Sequence, residues 1–387
     1  MSSGWLLVLT VAAVSCADAH AVVDPLSGDP LRFAWNLPAG VHVPFVPVDN
    51  RMSAAKVELG RRLFYDTRLS GNGAFACSSC HRQELSFSDA KNIPVGTTGE
   101  AHTRNSMGLA NIGYQRTFGW AGPATQSLEA QALIPMFGDV PVELGLKGGE
   151  SDLIARLRAE PVYLQLFPTA FPGEADAFAV PNVTKAIGAF ERTFLAFNAP
   201  IDRFRRGTGA AMSESAKRGE QVFSAKRCGA CHSGTLLSVA ARDPGLSAAD
   251  LLSPGSAGPD FANTGLYNLG GTGAYPPRNG GLFETTLVAS DAGKMKVPSL
   301  RNVGVTFPYM HDGSVATLED AIDNYARGGR LVALGPFAGD GRLNPNKDRR
   351  VTGFFISALE KTDLVAFLHA LTDSTFLTDR RFSNPWR

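Results

Sequence analysis

The chain has 387 residues, and its 37 Lys and Arg nearly balance its 36 Asp and Glu. That balance, with no basic run, excludes an electrostatic case for nucleic acid, and no stretch after the leader reaches the roughly 18 apolar residues of a membrane span. The length fits two domains of ordinary size, and 41 Gly with 24 Pro predict long ordered loops.

The first element is a leader. Met1 to Ala21 has an apolar core, Trp5 to Val14, followed by Ala17-Asp18-Ala19 and Ala19-His20-Ala21. This is the pattern of a secretory signal peptide with small-residue cleavage sites, although no Lys or Arg precedes the core. The apolar run is too short for a membrane anchor. Cys16 follows Ala13-Val14-Ser15, a poor lipobox, so lipid attachment there is the lesser alternative to a soluble periplasmic form. Residues 22–52 carry many prolines and no period, which predicts an extended segment over the surface.

A helix is predicted next, opened by Ser53 and running through Val57-Glu58-Leu59-Gly60-Arg61-Arg62-Leu63-Phe64. Then comes Cys77-Ser78-Ser79-Cys80-His81. The same order recurs: Ser213, Ala216-Lys217-Arg218-Gly219-Glu220-Gln221-Val222-Phe223, then Cys228-Gly229-Ala230-Cys231-His232. Cys-x-x-Cys-His is the attachment signature of a c-type haem. Residues i and i+3 share one helical face, so both thiols reach the vinyl groups of one porphyrin, and the histidine that follows ligates its iron. The competing assignment is a pair of zinc half-sites. That needs closely spaced pairs, whereas about 150 residues intervene here and each pair has its own histidine. Four of the five cysteines are thereby used.

Further helices are predicted at Ser151 to Arg158, Val183 to Phe197, Leu318 to Ala326 and Lys361 to Leu371. Val183, Ile187, Phe190 and Phe194 stand at helical spacing and predict core. Residues 233–294 predict long loops. The expected fold is mainly α, with two cytochrome c-like haem domains and long ordered loops. The domains are expected at 53–205 and 206–387, with the boundary within Asp202 to Ala211.

Other motifs carry more. They are Arg104-Asn105, Gln131-Ala132-Leu133-Ile134-Pro135, Pro141-Val142-Glu143-Leu144-Gly145, Leu300-Arg301-Asn302-Val303 and Phe307-Pro308-Tyr309-Met310-His311-Asp312-Gly313. With the haem motifs they resemble the bacterial di-haem cytochrome c peroxidases and the MauG enzymes, from about Ser53 to Leu371. Phe33 to Ser53, with Trp35-Asn36-Leu37-Pro38, resembles more narrowly the MbnH type, the MauG-like enzymes encoded with methanobactin genes.

The resemblance implies roles. His81 is the single protein ligand of a five-coordinate haem on which peroxide binds. Glu143 is the distal acid-base residue, with Gln131 and Pro135 as pocket wall; the loop from Pro135 to Glu143 is slightly longer than the family's usual one. His232 ligates the second haem, and its sixth ligand is Tyr325, with Met310 as the rival. A phenolate favours ferric and higher states, whereas Met favours the ferrous state. Trp120 carries holes between the irons. Asn105, Thr306 and Pro308 hold an inter-haem Ca2+ through oxygen donors. His311 is a supporting or core residue, and His42, His102 and His369 have no assigned part.

The implied function is a periplasmic peroxidase in which hydrogen peroxide raises the haem pair to a high-valent state that oxidises a protein partner. For the MbnH type the target is a tryptophan of a copper-binding protein, MbnP, converted to kynurenine. Two alternatives stay open: a cytochrome c peroxidase fed by a small cytochrome, and a non-catalytic di-haem electron-transfer protein.

Overall fold

The computed structural model describes residues 33–208, 212–245 and 260–386. The leader and Cys16 lie outside the described residues. The described chain is mainly helical. Its strands are two short antiparallel pairs, Phe261–Ala262 with Met295–Lys296 and Leu331–Val332 with Gly339–Asp340.

Two helix pairs organise the molecule. The helix Ala54–Phe64 packs on Val180–Glu191, and Glu214–Ala225 packs on Ala358–His369. Each first helix starts where a serine hydroxyl accepts a main-chain N–H: Ser53 from Lys56, Ser213 from Ala216. Each pair crosses at a glycine. A Cβ on Gly60 would run into the Ala186 carbonyl, and one on Gly219 into the Asp363 carbonyl. Phe190 and Phe367 stand at the same crossings. The two sequence repeats therefore make the same contact, with glycine letting one backbone lie on the other.

The first core is aromatic. Phe64 meets Phe87, Phe190 and Phe194 edge-on at 5.6 to 5.8 Å, and Phe87 stacks on Phe194 at 4.0 Å. The second core begins at Ala199 and gathers Phe223, Leu237, Ile322, Leu364 and Phe367. The chain end returns to the first core. Phe376 and Phe382 are buried there, Gln83 Nε2 donates to the Asp379 carbonyl at 2.8 Å, and Trp386 Nε1 donates to Arg62 O at 3.0 Å. The segment 33–52 lies over both regions. Asn50 is fully buried and donates to Glu129 at 2.5 Å, while His42 N donates to Pro244 O at 2.8 Å.

Glu150–Arg158 and Leu318–Ala326 follow expectation within one residue, while the helix expected at Lys361 to Leu371 runs Ala358–His369, opened by the Ser357 cap. The expected helix to Phe197 instead ends at Glu191. Asn111 takes the next residues away: its backbone N–H donates to Phe194 O at 2.6 Å, and its side-chain oxygen accepts from Ala196 N at 2.9 Å. Two of the longer helices were not expected from the sequence, nor were the short Pro200–Arg205, Phe283–Thr286 and Ser374–Thr378. Pro161–Ala170 opens with Pro at its first position, where the missing N–H is harmless. Leu128–Phe137 contains Pro135, a residue that ordinarily argues against a helix interior.

The glycine crossings give the first prediction. Gly60→Ala and Gly219→Ala should each lower stability by about 1–3 kcal/mol through overpacking. Thermal unfolding of the haem-loaded protein checks this; unchanged midpoints for both would show that the helix pairs can separate without cost.

Candidate active site

Both Cys-x-x-Cys-His segments form a short helical turn, Cys77–Cys80 and Cys228–Ala230. His81 N donates to Cys77 O and His232 N to Cys228 O, both at 3.0 Å. Each imidazole is then held from behind. His81 Nδ1 donates to Phe87 O at 2.6 Å, and His232 Nδ1 donates to Leu237 O at 3.1 Å. That leaves each Nε2 as a neutral donor for a metal. Burial keeps both rings neutral, lowering His81 below its ordinary value and His232 to about 4.

The two accepting carbonyls belong to bulky residues in the left-handed region, Phe87 at φ 62° and Leu237 at φ 52°. Such residues rarely adopt it. Here the side chains are buried in the first and second cores, and that burial offsets the backbone strain. Ser299 and Arg301 tie down the second loop: Ser299 Oγ donates to Leu236 O at 2.7 Å, and Arg301 Nε donates to Thr235 O at 2.9 Å. Arg301 also pairs with buried Asp202 at 2.8 Å.

A cavity opens beside the first motif, with about 660 Å3 of atom-free space, part of it open to solvent. Cys77, Cys80 and His81 line it together with Gln131, Pro135 and Glu143. Gln131 and Pro135 are one helical turn apart on Leu128–Phe137 and so share a face. The loop that follows folds back, with Leu144 N donating to Pro135 O and Leu146 N to Met136 O, both at 2.9 Å. Thr97 N holds the Glu143 carbonyl at 2.8 Å from the other side. Glu143 is thereby set into the cavity, and burial pushes its carboxyl up to about 7.

Two neighbours were not assigned from sequence. His102 Nε2 lies 3.7 Å from Glu143 Oε1. That distance is contact, longer than a hydrogen bond. Burial lowers His102 and raises Glu143, so it disfavours the charged form of both. Glu191 also lines the cavity, with Oε2 unpartnered among the described residues, and burial pushes it up to about 8. Its signal was a lone carboxylate one turn after Ile187 on an apolar stripe.

At the second motif, Tyr325 lies within electrostatic reach of both thiols. Burial, and then Cys231 and Cys228, push its phenol up. Met310 packs elsewhere, against Leu266, Tyr267 and Tyr275. Trp120 joins the two regions: its Nε1 donates to Asn105 O at 3.0 Å, and its carbonyl accepts Lys296 N at 2.7 Å. Asn105 Nδ2 donates to Pro308 O at 2.9 Å, while its Oδ1 is buried without a partner among the described residues. Those oxygens suit a hard cation. Thr306 lies nearby, with its methyl against Gly108. No group of three His, Cys, Asp or Glu side chains placed to hold a metal occurs among the described residues. Asn302 pins the two regions, donating to Ser86 Oγ at 2.9 Å and accepting Asp373 N at 2.7 Å.

Comparison with known proteins decides the family. Residues 54–210 match the model of the di-haem cytochrome c peroxidases. Over 381 residues the chain is 37% identical to the cytochrome-c peroxidase IdrP1 of Denitromonas iodatirespirans, covering 95% of this chain and 92% of that one. The chain belongs to the di-haem cytochrome c peroxidase and MauG family. The peroxidase is also 32% identical over 371 residues to the methylamine utilization protein MauG of Methylorubrum extorquens, covering 95% of this chain and 91% of that one. A solved structure of a MauG-like protein associated with microbial copper homeostasis superposes with a TM-score of 0.87 at 42% identity, covering 92% of this chain and all of that one. Membership makes the protein a peroxide-using oxidoreductase with two c-type haems.

The attachment residues fit that cofactor. Each site offers two free thiols and one neutral imidazole nitrogen, and the first opens on a cavity that Glu143 also lines. Peroxide cleavage needs a proton moved from one oxygen to the other, and a positioned carboxylate does this. With Glu143 as that carboxylate its base form acts first, and since burial pushes it up to about 7 the peroxide reaction should speed up as pH rises through that region. Glu143→Gln should slow it by roughly two to four orders of magnitude and abolish that pH step. Stopped-flow mixing with peroxide over a pH series measures both; an unaltered pH profile in the variant would assign the step to another group.

Proposed function

We propose that this peroxidase passes the oxidising power of hydrogen peroxide to a tryptophan on a protein partner. The observation that carries the reading is the second site, where Tyr325 lies within electrostatic reach of Cys228 and Cys231, while Met310 packs against the cluster of Leu266, Tyr267 and Tyr275. A phenolate is a hard anionic donor, suited to storing oxidising equivalents rather than delivering electrons. In this reading His81 holds the first haem, and His232 with Tyr325 holds the second. The bound haems supply the iron chemistry that accepts oxidation by peroxide.

The chain's own residues do the rest. Gln131 orients peroxide by hydrogen bonding, Pro135 shapes the wall, and Glu143 shuttles the proton. Trp120 is the electron conduit between the two sites. Asn105, Thr306 and Pro308 hold a calcium ion that keeps the Trp120 region rigid; the orphaned Asn105 Oδ1 supports this. The copper-homeostasis neighbour supports a copper-binding, MbnP-like partner whose tryptophan becomes kynurenine. Export to the periplasm places enzyme and partner together. Among the described residues no helix is long and apolar enough to cross a membrane.

One observation favours a second reading. The 37% identical relative is named a cytochrome-c peroxidase, which takes electrons from a small cytochrome. A single experiment separates the two: peroxide is added to the haem-loaded protein with the candidate partner, or with reduced cytochrome c, and the partner is mass-analysed. Oxygen added to a partner tryptophan, lost in Tyr325→Phe while haem attachment persists, is the expected result. Rapid cytochrome c oxidation with no covalent change in the partner would favour the second reading.

A further inference from the structure

Trp120 begins a row of rings that the peroxide chemistry has not yet used. It faces His311 with centroids 6.3 Å apart, His311 faces Tyr275 at 6.2 Å, and Tyr275 faces Tyr267 at 5.4 Å. Each separation lies within the range of directly packed rings. Tyr267 then meets Phe337 at 6.1 Å, and Phe337 is 39% exposed. The row therefore runs from the junction of the two units to one ring below solvent.

The two phenols have different partners. Tyr275 donates to the Asn263 amide oxygen at 2.8 Å, and an amide is a poor proton acceptor. Tyr267 donates to Asp312 Oδ2 at 2.6 Å. The other Asp312 oxygen accepts Ser314 N–H at 3.1 Å and Ser314 Oγ at 2.7 Å, and the Arg330 guanidinium stands 3.6 Å from Oδ2. Burial pushes the Asp312 carboxyl up, but His311 and these hydrogen bonds outweigh it and hold the group below its ordinary value. Burial, with the bond to Asp312, pushes the Tyr267 phenol up to about 12, so its proton stays on the ring oxygen at rest. The Arg330 guanidinium also lies 4.5 Å over the Tyr267 ring. A cation on a ring face opposes a second positive charge there. Tyr267 can thus lose an electron readily only if its proton leaves too, and Asp312 is in place to take it.

We propose that Tyr267, with Asp312 as proton acceptor, is a redox-active tyrosine that carries an oxidising equivalent from Trp120 towards the protein surface. The proposal rests on the peroxidase reading above. The step balances: the phenol gives one electron back along Tyr275, His311 and Trp120, its proton goes to the Asp312 carboxylate, and a neutral phenoxyl radical with a neutral carboxylic acid remains. Hydrogen peroxide is the oxidant, taking two electrons and two protons overall as it becomes two waters. The phenoxyl returns to phenol by taking an electron from the indole of the docked partner's tryptophan and its proton back from Asp312. His311 serves as a bridge: it is buried, and its Nε2 has no partner among the described residues.

The test uses the haem-loaded full chain, mixed with peroxide, freeze-quenched and examined by electron paramagnetic resonance. Peroxide consumption is followed in parallel. The parent should give a phenoxyl radical whose spectrum narrows when ring-deuterated tyrosine is incorporated. Tyr267→Phe keeps the ring packing and should lose the signal, as should Asp312→Asn, whereas Asp312→Glu keeps a carboxylate and should retain it. Tyr114→Phe, whose hydroxyl donates to His42 O and whose ring packs on Phe197 rather than on the row, should keep it in full. Absence of a tyrosyl radical from a parent that consumes peroxide overturns the relay alone. So does an undiminished signal in Tyr267→Phe. A parent that consumes no peroxide overturns the functional reading and the relay together.

Discussion

His81 and His232 each give Nδ1 to a main-chain carbonyl, and the rest of the two sites is arranged around that contact. It sets the tautomer, aims Nε2 at the place of the iron, and raises the basicity of the ligand. The carbonyls are supplied by Phe87 and Leu237 in a backbone conformation such residues avoid. What holds them there is hydrophobic. The Phe87 ring is stacked on Phe194, and the Leu237 side chain is buried in the second core. Core packing and metal ligation are therefore one problem. Phe376, from the returning chain end, lies 5.7 Å from Phe87, so even the last residues bear on the first site.

The two repeats share this device and diverge on the far side of the ligand. Around the first motif, the loops 94–102 and 138–146 bring Glu143 and His102 into contact above a cavity. Around the second, a phenol stands beside the thiols. Between them the backbone of Trp120 is pinned by Lys296, a residue from the second unit that is 1% exposed and whose Nζ donates to Thr117 O at 3.0 Å. Trp120 is thus held by its ring nitrogen from Asn105 and by its carbonyl from Lys296. The two repeats thus share the contact behind the ligand, while the groups placed across from it differ.

Much of this was legible before folding. Cys-x-x-Cys-His is a local pattern whose chemistry depends on spacing alone, and the segment repeated ahead of each motif announced the two entry helices, though not the glycine crossings they make. Gln131, Pro135 and Glu143 came from resemblance, and the fold brings them to one cavity with His81. His102 was missed because its meeting with Glu143 depends on two loops remote in sequence. Glu191 was missed because helical periodicity places a residue on a face without saying what that face looks into. The row from Trp120 to Tyr267 was likewise hidden, since its members span residues 120 to 311 and are joined only by tertiary packing. Helix Leu128–Phe137 was obscured by Pro135, which local propensity penalises.

The central claim is that one haem site is open and the other closed by a phenol. Electron paramagnetic resonance of the resting ferric, haem-loaded protein tests it directly. An open site with His81 as its only protein ligand should give one high-spin centre. His232 with Tyr325 should give one low-spin centre. Two low-spin centres would contradict the open first site, and two high-spin centres would contradict ligation by Tyr325.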